Sequence, residues 1–305
     1  MLTPAVESYL ALRRALGFQL KETGYQLFSF ARFASARAEQ FVRTATALDW
    51  AGLGASPTQR ARRLGAVIRF ARYLHAEDDR HEVPPEGVYG SQRRPRPTPF
   101  IFSPEEIQQL LAAASSLRPR GSLRPYTYTT LFALLACTGL RVSEAIRLTF
   151  ADLTADGLLI HQSKFRKSRL VPLHETARSG LECYLSRRRL LARESDRLFV
   201  SERGQPLRYD TVAQAFHTSL HRARLDWESV RRRPSLHSLR HTFAVRALEN
   251  CPEGRGQIGR HTLALSNYLG HSKVAATYWY LEATPSLLSD IADACEHLVI
   301  KGERR

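Results

Sequence analysis

One tyrosine, three histidines, two arginines and a lysine pair fall in four short stretches whose spacing could aim them at one target. In Thr138-Gly139-Leu140-Arg141-Val142-Ser143-Glu144 the glycine ends one helix and puts Arg141 in the first turn of the next. A helix N-terminus presents free N–H groups that favour an anion, and a guanidinium there adds a two-pronged grip on a phosphate. Taken alone, the stretch reads better as an ordinary Arg–Glu surface pair. In His237-Ser238-Leu239-Arg240-His241 the imidazole of His237 and the guanidinium of Arg240 stand three residues apart on a predicted helix and share a face, with Leu239 and Phe243 turned to the core. His237 and His241, one turn apart, are also spaced to hold a zinc ion, but no acidic third ligand or HExxH pattern accompanies them. In Tyr268-Leu-Gly270-His271, Gly270 permits a tight turn that exposes His271, and Tyr280 follows nine residues later with Tyr278 as its rival. A packed aromatic cluster is the plain alternative. Lysine is scarce, occurring only at Lys21, Lys164, Lys167, Lys273 and Lys301, so the pair Lys164 and Lys167 stands out.

In order and spacing these stretches resemble the tyrosine recombinases, also called lambda-type integrases, including the Xer-type proteins. The family pattern is an arginine in TGLRxSE, a lysine in a β-hairpin turn, HxxR, LGH, then a tyrosine nine residues on. This chain supplies Arg141, Lys164, His237, Arg240, His271 and Tyr280 in that order. Lys164-Phe-Arg-Lys167-Ser-Arg169-Leu-Val-Pro-Leu173 is similar to the family's KGxKxRxVPL hairpin, whose first lysine is catalytic. That points to Lys164, with Lys167 as runner-up and otherwise a DNA contact. The spacing from Arg240 to His271 is longer than in simple Xer-type proteins and takes in Cys251-Pro-Glu-Gly-Arg-Gly256, which reads as a loop. The ending Leu265-Ser-Asn-Tyr-Leu-Gly-His271 followed by Thr277-Tyr-Trp-Tyr-Leu-Glu-Ala-Thr-Pro285 resembles transposon-associated integrases, which implies a mobile element and transposition.

The resemblance implies a reaction and a set of roles. Tyr280 attacks a DNA phosphate and forms a 3′-phosphotyrosine. Lys164 protonates the leaving 5′-hydroxyl. Arg141 and Arg240 clamp the non-bridging oxygens, His271 donates a hydrogen bond to them, His237 assists proton movement, and Glu144 orients Arg141. One phosphodiester is exchanged for another, so neither metal, ATP nor other cofactor is expected. The implied partners are double-stranded DNA, gripped by a C-shaped clamp, and further recombinase protomers, four to a synapse with a Holliday-junction intermediate. A type IB topoisomerase would use nearly the same residues. A non-catalytic DNA-binding regulator would not need them.

The elements that must carry these residues divide the chain. Residues 1 to about 88 read as helical, with apolar positions at helical spacing in Tyr9, Leu10, Leu12, Leu16 and in Leu27, Phe28, Phe30, Ala31, Phe33. Ser56-Pro57 predicts an N-cap and first helical residue. The helix it opens carries Leu64, Val67, Ile68, Ala71 and Leu74 on one face, interleaved with Arg60, Arg62, Arg63, Arg69 and Arg72. Ser91-Gln-Arg93-Arg94-Pro-Arg96-Pro-Thr-Pro99 predicts a linker whose arginines Arg93, Arg94 and Arg96 track DNA phosphates. Ser103 and Glu106 form a capping-box pattern that restarts a helix. Further helices are predicted at Tyr126–Cys137 and Leu140–Leu148, then a hairpin from Leu158–His161 and Arg169–Leu173 with the basic turn Ser163–Ser168. The fold class is therefore mainly α with a small antiparallel β element. The expected layout is a helical core-type DNA-binding domain over 1–90, a linker over 91–99 and a catalytic domain over 100–305. The apolar stripe Leu288, Ile291, Ala292, Cys295, Leu298 and Val299 packs on its own domain or docks on a neighbouring protomer.

Composition bounds the same reading. Lys+Arg total 45 against 29 Asp+Glu, a net charge of +16, which suits a polyanionic partner. Cys137, Cys183, Cys251 and Cys295 lie far apart, without CxxC or Cys/His knuckles, so neither a disulfide framework nor a zinc site is indicated. Cys137 sits in an apolar run and reads as core. No secretory signal or membrane-spanning run is visible, which fits the cytoplasm.

Overall fold

The computed structural model describes residues 2–90, 98–161, 168–191, 195–225, 233–250, 258–271 and 274–282. The chain separates into two compact units, Met1–Pro97 and Thr98–Arg305. In the N-terminal unit, α1 (Leu2–Ala15), α2 (Lys21–Ser35), α3 (Thr44–Gly52) and α4 (Pro57–His75) close around one core. Ser56 caps α4, its hydroxyl accepting from the Gln59 N–H, with Pro57 in the first helical turn. The predicted face of Leu64, Val67, Ile68, Ala71 and Leu74 is buried against Tyr9, Leu10, Leu27 and Phe30. Leu12 and Leu16, expected on that stripe, are exposed instead, because only one side of α1 meets α2 and α4. Helix ends at His75 rather than near residue 88. The chain from 76 to 90 is irregular and fastened by Glu82 to Arg43 and Thr44, and by the Tyr89 hydroxyl donating to the Leu48 carbonyl.

The C-terminal unit is built on α6 (Leu123–Thr138), which packs on α5 (Pro104–Ser115), α8 (Glu175–Leu191), α9 (Tyr209–Arg222) and α10 (Leu236–Glu249). Ser103 and Glu106 make the predicted capping box at α5. The helix predicted over Leu140–Leu148 is a single turn, α7 (Val142–Ala145). Tertiary pairing overrides helix propensity at its end. The Leu148 carbonyl accepts from the Leu198 N–H, and Phe150 donates to the Asp196 carbonyl, which draws the chain away as an extended segment. Cys137 is exposed, not core, because Leu134, Leu135 and Thr138 occupy the inward face of α6.

The predicted hairpin gains a third strand. β1 (Leu153–Thr154), β2 (Gly157–Ile160) and β3 (Arg169–Val171) form an antiparallel sheet in that order, with Leu158 opposite Val171 and Ile160 opposite Arg169. Finally, α11 (Ile258–Leu269) and α12 (Ala275–Glu282) pack on α10 through Ala244, Val245, Leu248, Leu265, Leu269 and Tyr280. Among the described residues no helix is long and apolar enough to cross a membrane.

A candidate active site around the end of helix α11

The site starts from two glycines. Gly139 ends α6 at φ +61°, and Phe243 occupies the space where a Cβ would go. Gly270 ends α11 at φ +65°, with the Arg169 guanidinium nitrogen 3.1 Å from where its Cβ would lie. Both positions favour glycine through their left-handed backbone and through crowding. The turn after α11 exposes three successive carbonyls, and each receives an arginine. Tyr268 O accepts from Arg169 Nε at 2.7 Å, Leu269 O from Arg240 Nη2 at 2.7 Å, and Gly270 O from Arg141 Nη2 at 3.0 Å. The last carbonyls of a helix lack intrahelical partners and carry its partial negative charge, so cations are stabilised there.

Glu144 joins two of these arginines. It accepts from Arg141 Nη1 at 2.8 Å and from the Arg141 backbone N–H at 3.0 Å. Arg169 adds a two-pronged pair to it, at 3.1 and 2.8 Å. Burial alone would raise this carboxyl, but hydrogen bonds from Arg169 and Arg141 and the charge of Arg169 outweigh it and hold the pKa at about 2. Arg141 stands at the N-cap of the single turn α7, not in the first turn of a long helix, so the helix-dipole part of the expectation has little to draw on.

Arg240 is 1% exposed, its guanidinium held between the carbonyls of Gly139 and Leu269. Burial, then the neighbouring Arg141 charge, pulls its pKa down to about 10, which leaves it cationic at neutral pH. Two of the three guanidiniums pair with one carboxylate and the third rests on backbone carbonyls, so these four groups carry an excess of two positive charges. Such an excess of guanidinium charge favours an anion.

Beside the arginines lies a cluster of rings. Tyr280 is 2% exposed, and its hydroxyl is hydrogen-bonded to His241 Nδ1 at 3.2 Å. The His237 ring stands edge-on to His241 at 4.4 Å between centroids, and His271 stacks along Tyr280 at 6.2 Å. His271 Nδ1 is hydrogen-bonded to the Thr277 hydroxyl at 2.7 Å, which ties the LGH turn to α12. Tyr278, two residues from Tyr280, is 51% exposed and turns away from this cluster. Helix α12 thus discriminates between the two tyrosines.

Of the sequence-derived candidates, Arg141, Glu144, His237, Arg240, His271 and Tyr280 come together in this site. Lys164 and Lys167, the linker arginines Arg93, Arg94 and Arg96, the loop 251–256 and the stripe 287–300 lie outside the described residues. His241, weighed with His237 as a zinc pair, meets the Tyr280 hydroxyl through its Nδ1. Among the described residues no group of three metal-binding side chains occurs. Arg169 carried a sequence signal, its place in the KxRxVPL pattern, but no separate role.

Comparison with known proteins places this geometry. The model of the phage integrase family matches residues 101–286. The chain is 40% identical over 296 residues to the integrase/recombinase y4rB of Sinorhizobium fredii, covering 94% of each protein. It is 32% identical over 250 residues to the tyrosine recombinase XerD of Caulobacter vibrioides, covering 80% of this chain and 76% of that one. Its fold is similar to a lambda integrase tetramer bound to a Holliday junction, with TM-score 0.62 at 18% identity over 92% of this chain and 76% of that one. With a family model spanning more than half of its length and a relative of this closeness spanning nearly all of it, the chain belongs to the phage integrase family and is a site-specific tyrosine recombinase.

Proposed function

We propose that the C-terminal unit cleaves and rejoins double-stranded DNA through a covalent bond between Tyr280 and a 3′-phosphate, with neither metal nor ATP. The observation that carries this reading is the arginine cluster with two positive charges in excess, set beside the buried hydroxyl of Tyr280. Tyr280 Oη attacks the phosphorus, the bond to the 5′ oxygen breaks, and that oxygen takes a proton from Lys164. Arg141 and Arg240 stabilise the charge that grows on the non-bridging oxygens, and His271 donates to the same phosphate. His237 takes part in moving the tyrosine proton. The phosphotyrosine conserves the energy of the broken phosphodiester, so rejoining to a new 5′-hydroxyl needs no high-energy cofactor.

The basic helical N-terminal unit, residues 1–90, would add DNA contacts outside the cleavage point, with Arg93, Arg94, Arg96 and Lys167 on phosphates. Two exchanged duplexes need a cleavage site on each strand, hence four protomers. The lambda integrase described as a tetramer on a Holliday junction supports that number through the shared fold. The integrase/recombinase relative and the ending of the chain support integration of a mobile element, carried out in the cytoplasm where that DNA resides.

The test is covalent trapping in EDTA without ATP, on nicked duplexes carrying the sequences that flank the chain's own gene. An adduct that survives detergent and, after protease digestion, leaves a DNA-linked peptide mapping to Tyr280 is expected. Stable binding with no adduct would favour a regulator, and efficient relaxation of supercoiled DNA lacking those sequences would favour a topoisomerase.

A further inference from the structure

We propose that Arg169 is a positioning residue of the recombination reaction: from the first position of β3 it fixes both the Arg141–Glu144 pair and the turn that presents His271. The inference rests on the reading of Arg141 and His271 as phosphate-binding groups. Strand alternation explains how an arginine comes to do this. Leu170 is exposed and Val171 buried, so Arg169 lies on the inward side with Val171. Its side chain is 12% exposed, and Nε, Nη1 and Nη2 are all engaged.

The choice of acceptors separates positioning from a mere ion pair. Arg169 binds both oxygens of the carboxylate that also holds Arg141, and it binds the first of the three successive carbonyls whose second and third hold Arg240 and Arg141. One planar fork therefore sets the distance between α7 and the end of α11. It also pins β3 at the point where the hairpin pairing begins, opposite Ile160, immediately beyond the segment that contains Lys164. A lysine has one nitrogen and cannot span these acceptors together.

The charges facing Glu144 are Arg141 at the start of α7, Arg169 on β3 and, more distantly, Arg240 on α10. Removing Arg169 leaves burial opposed mainly by Arg141, so the Glu144 carboxyl moves up from about 2 and begins to protonate at a pH the assay can reach. Below that pH Arg141 loses its anchor.

The experiment compares full-length wild type, Arg169→Gln and Arg169→Lys on the nicked duplexes described above, at saturating DNA and from pH 4.5 to 8. Adduct formation by Arg169→Gln is expected to fall by roughly tenfold to a hundredfold, with site affinity within about twofold of wild type. An acid limb absent from wild type should appear in its pH profile, and Arg169→Lys should fall between the two. Wild-type rates in Arg169→Gln with no new acid limb would overturn the proposal. So would a loss of adduct that parallels loss of DNA binding and of thermal stability, since that is what a purely structural arginine gives. If Arg169→Gln does not fold, the lysine variant decides on the same readouts: an unchanged rate and pH profile would overturn the proposal. A wild type that forms no adduct would instead sink the recombinase chemistry itself, and this inference with it.

Discussion

The two halves of the site are held in different ways. On the arginine side, each guanidinium is fixed by two or more acceptors that are backbone carbonyls or a shared buried carboxylate. On the tyrosine side, the hydroxyl of Tyr280 meets a histidine ring at 3.2 Å, and aromatic rings pack around it. On the proposed mechanism the arginine side is preorganised: the groups assigned to developing charge are already held by their acceptors, so they need little reorganisation during the reaction. The tyrosine side is buried in a small cluster on α10, α11 and α12, and Tyr280 must still reach a phosphate. On the proposed mechanism, an electrostatic frame built on charge and backbone carbonyls stands beside a nucleophile seated among aromatic rings.

The largest effect expected on this contrast is from Tyr280→Phe. It removes one oxygen and keeps the ring that fills the cluster, so covalent adduct should vanish while DNA binding stays near wild type. Recovery of the adduct on Tyr278 would show that α12 does not discriminate between its tyrosines as their burial indicates. Next comes Lys164→Ala, expected to slow cleavage by about a hundred- to ten-thousand-fold, as loss of a general acid does. A substrate with sulfur in place of the bridging 5′ oxygen departs without a proton and should rescue Lys164→Ala but not Arg141→Ala, which belongs to the charge-stabilising side. Rescue of Lys167→Ala instead would move the acid to the other lysine.

The arginine side should also dominate the stability of the unit. The Glu144 side chain is 5% exposed, and its pKa is held at about 2 against an ordinary 4.5. A depressed carboxylate contributes stability above its unfolded pKa and loses it as pH falls through the folded value. The contribution is on the order of 3 kcal/mol, present at pH 7 and lost between about pH 4.5 and 2. Glu144→Gln should therefore unfold at markedly lower denaturant than wild type at pH 7, and the gap should narrow on acidification towards pH 3. A gap independent of pH would mean that packing, not charge, accounts for the difference.

What could be read from the sequence follows the same division. Arg141, His237, Arg240, His271 and Tyr280 were legible because each sits in a short motif whose order is itself informative, and the caps at Ser56 and Ser103 because capping is local chemistry. Arg169 was seen as part of a pattern but not as a link, because its partners at Glu144 and Tyr268 are 25 and 99 residues away. The truncation of the Leu140–Leu148 helix was equally invisible, since it comes from pairing with residues 196–198. Cys137 was misplaced because an apolar run in α6 does not say which side of the helix meets the core. His241 invited a metal reading from its spacing to His237, whereas its ring meets a residue 39 positions away.

His241 gives the finest test of the tyrosine side. The ring packs edge-on against Trp279 at 5.0 Å, so His241→Phe keeps shape and apolar contact while deleting the nitrogen that meets Tyr280 Oη. A single hydrogen bond between uncharged groups is worth about 0.5–1.5 kcal/mol, so adduct formation should slow by no more than about tenfold. His241→Asn places an amide near the position of Nδ1 and should recover most of that loss, although it gives up the packing on Trp279. The direction follows from the neighbours of the bond: His241 meets His237, the imidazole proposed to move the tyrosine proton, and Tyr280 stacks with His271, the imidazole proposed to bind the phosphate. Rates measured at saturating DNA over the three proteins separate the cases. Loss in His241→Phe with recovery in His241→Asn means that His241 holds the tyrosine for attack. Faster cleavage by His241→Phe than by wild type would mean the reverse, that the bond is a restraint the nucleophile must break before it meets DNA.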